Sequence, residues 1–121
     1  MADPLTESIL AAAIEVHRVL GPGLLESIYE EALCHELALR GIRFQRQLPV
    51  ALRYKGTELT GQRLDVLVEG EVVLELKSVR ALPDAATAQI LTYLRATGCK
   101  RGLIINFGNK RLIDGVQRVS L

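Results

Sequence analysis

The segment Val72-Val73-Leu74-Glu75-Leu76 constrains the fold of this chain more than any other. It is almost continuously apolar, the signature of an interior strand covered on both faces. Glu75 interrupts the run and Lys77 follows two residues later, so both side chains leave the strand on the same face. An isolated Glu-x-Lys reads as a solvated strand face. Here Val72, Val73, Leu74, Leu76 and Val79 argue for burial. A buried carboxylate and ammonium each cost several kcal/mol unless paired, hydrogen-bonded or metal-bound. A polar pair where burial is expected marks a candidate functional site.

The pattern around this strand alternates helix and sheet. Leu5, Ile9, Ala12 or Ala13, Val16 and Leu20 recur at helical spacing, with Asp3-Pro4 as N-cap and first helical residue. Gly21-Pro22-Gly23 bends the chain. Leu25, Ile28, Tyr29, Ala32, Leu33 and Leu37 form the stripe of a second helix, with Gly41 at its C′ position. The period then shortens. Strands are expected at 44–54, with Pro49 at a bend, bulge or edge, and at 59–68 and 72–79, with Lys55-Gly56 as a turn. Leu82-Pro83-Asp84 announces a third helix ending near Thr97. A buried strand at 102–107 and an edge strand at 112–119 complete the order α-α-β-β-β-α-β-β, a mixed sheet flanked by helices.

Composition limits the alternatives. One domain over residues 1–121 follows from the length, and 4% aromatic residues with no Trp require an aliphatic core. The net charge of +1 argues against a histone-like tail, yet it sums −6 over residues 1–36 and +7 over residues 37–121. That asymmetry fits a polyanion-binding face or an acidic helical layer beside a basic sheet. Cys34 and Cys99 form no ligand spacing or disulfide framework. The start lacks a basic leader and no apolar run would span a bilayer, so a cytoplasmic setting is expected.

Asp65 stands on the strand before Glu75, and its face depends on hairpin register. A two-residue loop puts it opposite Leu74. A three-residue loop, Glu69 to Glu71, puts it opposite Glu75. In the second register two carboxylates face each other, unfavourably without a cation. Oxygen-only ligands suit Mg²⁺ or Mn²⁺. Glu26 and Tyr29 share one helix face, as do Gln89 and Tyr93. Taken singly, these four read as a surface acid, a buried ring and a helix edge.

Together the residues resemble a known pattern. Gly23-Leu24-Leu25-Glu26-Ser27-Ile28-Tyr29 is similar to the signature of the GxxExxY protein family, part of the PD-(D/E)xK nuclease superfamily. Asp65 with Glu75-Leu76-Lys77, the segment Gln89 to Leu94 and the strand ending Asn106-Phe107-Gly108 resemble its further motifs, over residues 5–121. Leu64 precedes Asp65 where the superfamily often has Pro. The resemblance implies a restriction-endonuclease-like α-β-β-β-α-β core and Mg²⁺-dependent hydrolysis of nucleic-acid phosphodiesters, DNA ahead of RNA. It implies Asp65, Glu75, the Leu76 carbonyl and Glu26 as metal ligands. It gives Lys77 the attacking water and the developing charge, and has Gln89 and Tyr93 line the site. Two groups of cations would serve phosphates if they rim the site: Arg43, Arg46, Arg53, Lys55 and Arg63, and Lys100, Arg101, Lys110, Arg111 and Arg118. The competing readings are a nucleic-acid-binding module that does not cut and an interaction or assembly domain, with homo-oligomers left open. No membrane partner is expected.

Overall fold

Asp3 begins the first helix as its residue type suggests. In the computed structural model, which describes residues 3–121, its carboxylate accepts from the Leu5 N–H at 3.2 Å and the Thr6 hydroxyl at 2.7 Å. Met1 and Ala2, part of the expectation about the chain's start, lie outside the described residues. Helix α1 spans Pro4–Leu20 and α2 spans Glu26–Leu39. At the end of α2, Gly41 takes φ +72° while its N–H and that of Ile42 bond the Ala38 and Leu37 carbonyls, both at 3.0 Å. This is the Schellman arrangement that a C′ glycine favours.

The buried face of α2 differs from the expected stripe. Leu25 precedes the helix and is 73% exposed, and Ile28 is 42% exposed. The buried residues are Tyr29, Glu30, Leu33, Cys34 and Leu37. Ile28 lies about 100° round the helix from Tyr29, and that rotation brings Glu30 inward instead. Burial pushes the Cys34 thiol up to about 11, consistent with packing and not with nucleophilic chemistry.

Strands β1 (Phe44–Pro49), β4 (Arg63–Val68), β5 (Val72–Lys77), β6 (Arg101–Asn106) and β7 (Val116–Ser120) form a five-stranded sheet in the order β1-β4-β5-β6-β7. β5 and β6 run parallel and the other neighbours antiparallel. Strands β2 (Leu52–Tyr54) and β3 (Thr57–Leu59) form a separate hairpin. The expected strand at 44–54 is therefore two strands, interrupted where Val50 turns into the core and donates its N–H to the Gln62 carbonyl at 2.9 Å. The expected strand at 59–68 is broken at Gly61, φ +99°. Leu112–Gly115 is a 3₁₀ turn, so the last strand starts later than its pattern suggests. Gly115 sits there because a Cβ would collide with the Asn106 carbonyl.

Helices α1 and α2 cover one sheet face and α3 (Ala85–Thr97) the other. β5 is the central strand and supplies both cores. Val72, Leu74 and Leu76 pack on the α1/α2 side, Val73 on the α3 side. Glu75 and Lys77 continue the Val73 face. The interior strand with helices on both sides is the arrangement expected from the sequence.

Candidate active site

The β4–β5 hairpin decides whether two carboxylates meet. Val68 pairs with Val72, Leu67 with Val73 and Val66 with Leu74, leaving Glu69, Gly70 and Glu71 as the loop. This is the three-residue register. Gly70 takes φ +65° and Glu69 is also left-handed, at +53°. The glutamate is held there by its Oε1, which accepts from Arg43 N–H and Nε at 3.1 and 2.9 Å.

One step further along the register, Asp65 lies opposite Glu75. There the two carboxylates replace the strand ladder. Glu75 Oε1 accepts from the Asp65 N–H at 3.3 Å, and Asp65 Oδ2 accepts from the Leu76 N–H at 2.8 Å. Glu75 is 3% exposed, so burial first, and then the Asp65 charge, push its carboxyl up to about 8. Burial also holds Asp65 above the ordinary range, countered in part by the Leu76 N–H; the Glu30 charge pushes upward as well. Lys77 pulls both carboxyls down.

A chain of polar side chains leads away on the α3 side. Lys77 Nζ lies 3.5 Å from Gln89 Oε1, Gln89 Nε2 donates to the Tyr93 hydroxyl at 3.1 Å, and Gln62 also donates to that hydroxyl. The expected Gln89–Tyr93 pairing on one helix face is present and connects to Lys77. Tyr93 is buried and reaches Lys77 only through Gln89.

On the other side, Glu26, Ser27, Glu30, Gln47, Asp65 and Leu76 line a cleft of about 380 Å³. Glu26 stands exposed at the start of α2, and its charge acts on Glu75. Glu30 and Gln47 extend the set of residues expected from the sequence. Glu30 Oε1 accepts from Gln47 Nε2 at 2.7 Å, and its Oε2 accepts from Arg46 at 3.1 and 3.2 Å. Gln47 Nε2 also lies 3.4 Å from Asp65 Oδ1. Gln47 has φ +49° in mid-strand, a strained conformation that aims its amide between the two acids. Leu33, Cys34 and Leu37, three, four and seven residues beyond Glu30, share its buried face, but that spacing alone does not choose between Glu30 and the expected Ile28. Gln47 carries no such signal, because a strand position does not announce a positive φ.

Tyr29 is structural. Its hydroxyl donates to the Gly21 carbonyl and accepts from the Leu24 N–H at 3.2 Å, while its ring stacks on Phe107 at 4.4 Å. It thereby fixes the bend that starts α2 and positions Glu26. Gly23 has φ +103°, and a Cβ there would have no neighbour within 4 Å. Its role is that conformation, which turns the chain into α2, and not a close approach to a neighbouring element. Ser78 Oγ donates to the Leu24 carbonyl at 2.6 Å and ties the exit of β5 to the same bend.

Asn106 holds that exit from the other side. Buried at the end of β6, it accepts from the Val79 and Gly108 N–H groups, both at 3.0 Å, and donates to the Val79 carbonyl at 2.9 Å and Asn109 Oδ1 at 3.0 Å. Gly108 fits beside it because a Cβ would collide with the Val79 carbonyl. Asn106→Ala should destabilise the fold by about 3 kcal/mol, read as a lower urea midpoint at unchanged m-value. A change within about 0.5 kcal/mol would show that the exit of β5 does not depend on this side chain.

The donors fit a hard divalent cation. Asp65, Glu75 and the Leu76 carbonyl offer oxygen only, and burial together with the Asp65 charge raises the Glu75 carboxyl, a cost that a bound cation would relieve. Among the described residues no three His, Cys, Asp or Glu side chains converge closely enough to hold an ion by themselves. Two carboxylates, a main-chain oxygen and retained waters suit Mg²⁺ or Mn²⁺ better than Zn²⁺.

The expected cations divide by position. Val72 pairs with Arg101 and Glu75 with Ile104, so Arg101 lies three residues back along the strands, roughly 10 Å from the level of Glu75. Arg101 pairs with Asp3 and lies 3.7 Å from Glu71, and Arg118 pairs with Glu7 at 3.0 Å. Arg46 stands at the cleft through Glu30, and Arg63 donates to the Gln47 carbonyl at 3.0 Å. The second group of expected phosphate-binding cations thus includes two residues, Arg101 and Arg118, already paired with acids at the N-terminus of α1.

A family model for the PD-(D/E)XK nuclease superfamily matches residues 3–119. No curated protein and no solved structure matches the chain. No helix among the described residues is long and apolar enough to cross a membrane.

Proposed function

The chain belongs to the PD-(D/E)XK nuclease superfamily, and we propose that Asp65, Glu75 and Lys77 are the centre of a divalent-cation-dependent nuclease acting on nucleic-acid phosphodiesters. Within that superfamily we place it in the GxxExxY family, as a single domain over residues 1–121. The observation that carries the reading is the cross-strand meeting of Asp65 and Glu75, with Lys77 on the same sheet face.

Asp65, Glu75 and the Leu76 carbonyl would hold Mg²⁺ or Mn²⁺, with Glu26 reaching it from α2 through a bridging water. When bound, such a cation supplies Lewis-acid stabilisation of phosphoryl oxygens and lowers the pKa of a coordinated water. Lys77 places its charged Nζ where negative charge grows on the phosphoryl group and orients the attacking water by hydrogen bonding. Gln89 accepts from Nζ and holds it on the site side of α3. Tyr93 and Gln62 hold Gln89 in turn. The two strand N–H groups bound by the carboxylates keep those side chains from swinging apart.

The reading is tested by incubating the protein with labelled single- and double-stranded DNA and RNA in Mg²⁺, Mn²⁺ and EDTA. Cleavage of DNA in Mg²⁺ or Mn²⁺ and none in EDTA is expected. Wild-type protein that leaves every substrate intact in both cations would overturn it.

A further inference from the structure

We propose that the β2–β3 hairpin is an arm for unpaired nucleic-acid strands, with Tyr54 stacking on a base while Arg53 and Lys55 hold phosphates. This inference rests on the nuclease reading of the cleft and names the form of substrate presented to it.

Of the five aromatic residues, Tyr29, Tyr93 and Phe107 are buried and Phe44 is half-buried, whereas Tyr54 is 60% exposed. An exposed ring on a ribbon in which every residue from Arg53 to Leu59 is exposed gains little from its own fold. Lys55 Nζ stands 5.4 Å from the ring centroid, so an aromatic face and a cation are already side by side. Arg53 lies opposite Glu58, the one acid of the ribbon, but its guanidinium donates to the Gly56 carbonyl at 3.3 Å and bends over the tip.

The ribbon is also connected to the site. A two-stranded hairpin is marginally stable alone, and this one is tied at its base by the bond from Val50 to Gln62. The Gln62 side chain then donates to Tyr93, which leads through Gln89 to Lys77. Tyr54 is two residues beyond Leu52 and shares its ribbon face, and Leu52 packs on the core beneath α3. The ring thus lies on the face of the ribbon turned toward the Lys77 side of the sheet. An unpaired base presents a free π-face to it. A base inside a duplex is already stacked on both sides. Stacking on an aromatic side chain is sequence-tolerant and strong enough to select for unpaired strands.

The test compares binding of a fluorescent single-stranded DNA and its duplex in EDTA at low salt, using wild type, Tyr54→Leu and Tyr54→Phe. Tyr54→Leu should weaken single-strand binding about tenfold, leave duplex binding within about twofold, and be rescued by Tyr54→Phe. Equal single-strand binding by wild type and Tyr54→Leu, or equal losses on both substrates, would overturn the arm and leave the nuclease reading standing. Wild type that binds neither DNA, and cleaves neither when Mg²⁺ is added, would overturn both.

Discussion

Lys77→Ala should reduce cation-dependent cleavage about 10²- to 10³-fold, the loss typical when a charge-stabilising donor is removed from an active site. Lys77 ends the central strand half-buried, on the face that carries Glu75, and its charge lowers both carboxyl groups. Its removal takes away positive charge at the phosphoryl group and a donor to the attacking water. It removes little packing, so the melting temperature should change by no more than a few degrees. Lys77→Arg should not restore the rate, because a planar guanidinium cannot replace a compact ammonium held 3.5 Å from Gln89 Oε1. Single-turnover cleavage beside thermal unfolding separates these effects. A folded Lys77→Ala protein that cuts within twofold of wild type would remove the residue from the chemistry.

Without a divalent cation, the protein should lose stability on the order of 3 kcal/mol as pH rises from about 4.5 to about 8. Glu75 sits near 8 in the folded protein and 4.5 in the unfolded chain, so the folded state binds the extra proton across that interval. The stabilisation is fully present below pH 4.5 and is lost as pH passes through 8. Asp65, also raised, acts in the same direction. Urea denaturation in EDTA at several pH values reads the slope. Glu75→Gln keeps an acceptor for the Asp65 N–H and should flatten most of it. Saturating Mg²⁺ should reverse its sign, because a cation binds the deprotonated pair. A pH-independent wild type in EDTA would contradict the burial of the Glu75 carboxyl beside Asp65.

Much of this site was legible because it follows from strand periodicity and burial. The apolar run around Glu75 announces a central strand, and Val72 to Leu76 are indeed buried. The glycine at position 70 permits the three-residue loop that sets Asp65 against Glu75. Side-chain spacing on α3 places Gln89 beside Tyr93. What escaped depends on tertiary context. The face that α2 buries is set by where its N-terminus is pinned through Tyr29, so Ile28 turns outward and Glu30 inward. The positive φ of Gln47 has no marker in a strand of ordinary residues. The breaks at Val50 and Gly61 separate a hairpin from strands whose residue types continue to favour sheet. Asn106 reads as an ordinary polar residue at a strand end until its four hydrogen bonds around Val79 and Gly108 are seen.

The claim that Asp65, Glu75 and Lys77 hydrolyse phosphodiesters is tested most directly by the cleavage rate of labelled DNA in Mg²⁺ by wild type beside Glu75→Ala, at equal folded protein concentration. Product from wild type and a loss of at least about 10²-fold in the variant are expected. Equal rates from the two proteins, or intact DNA with wild type, would contradict it.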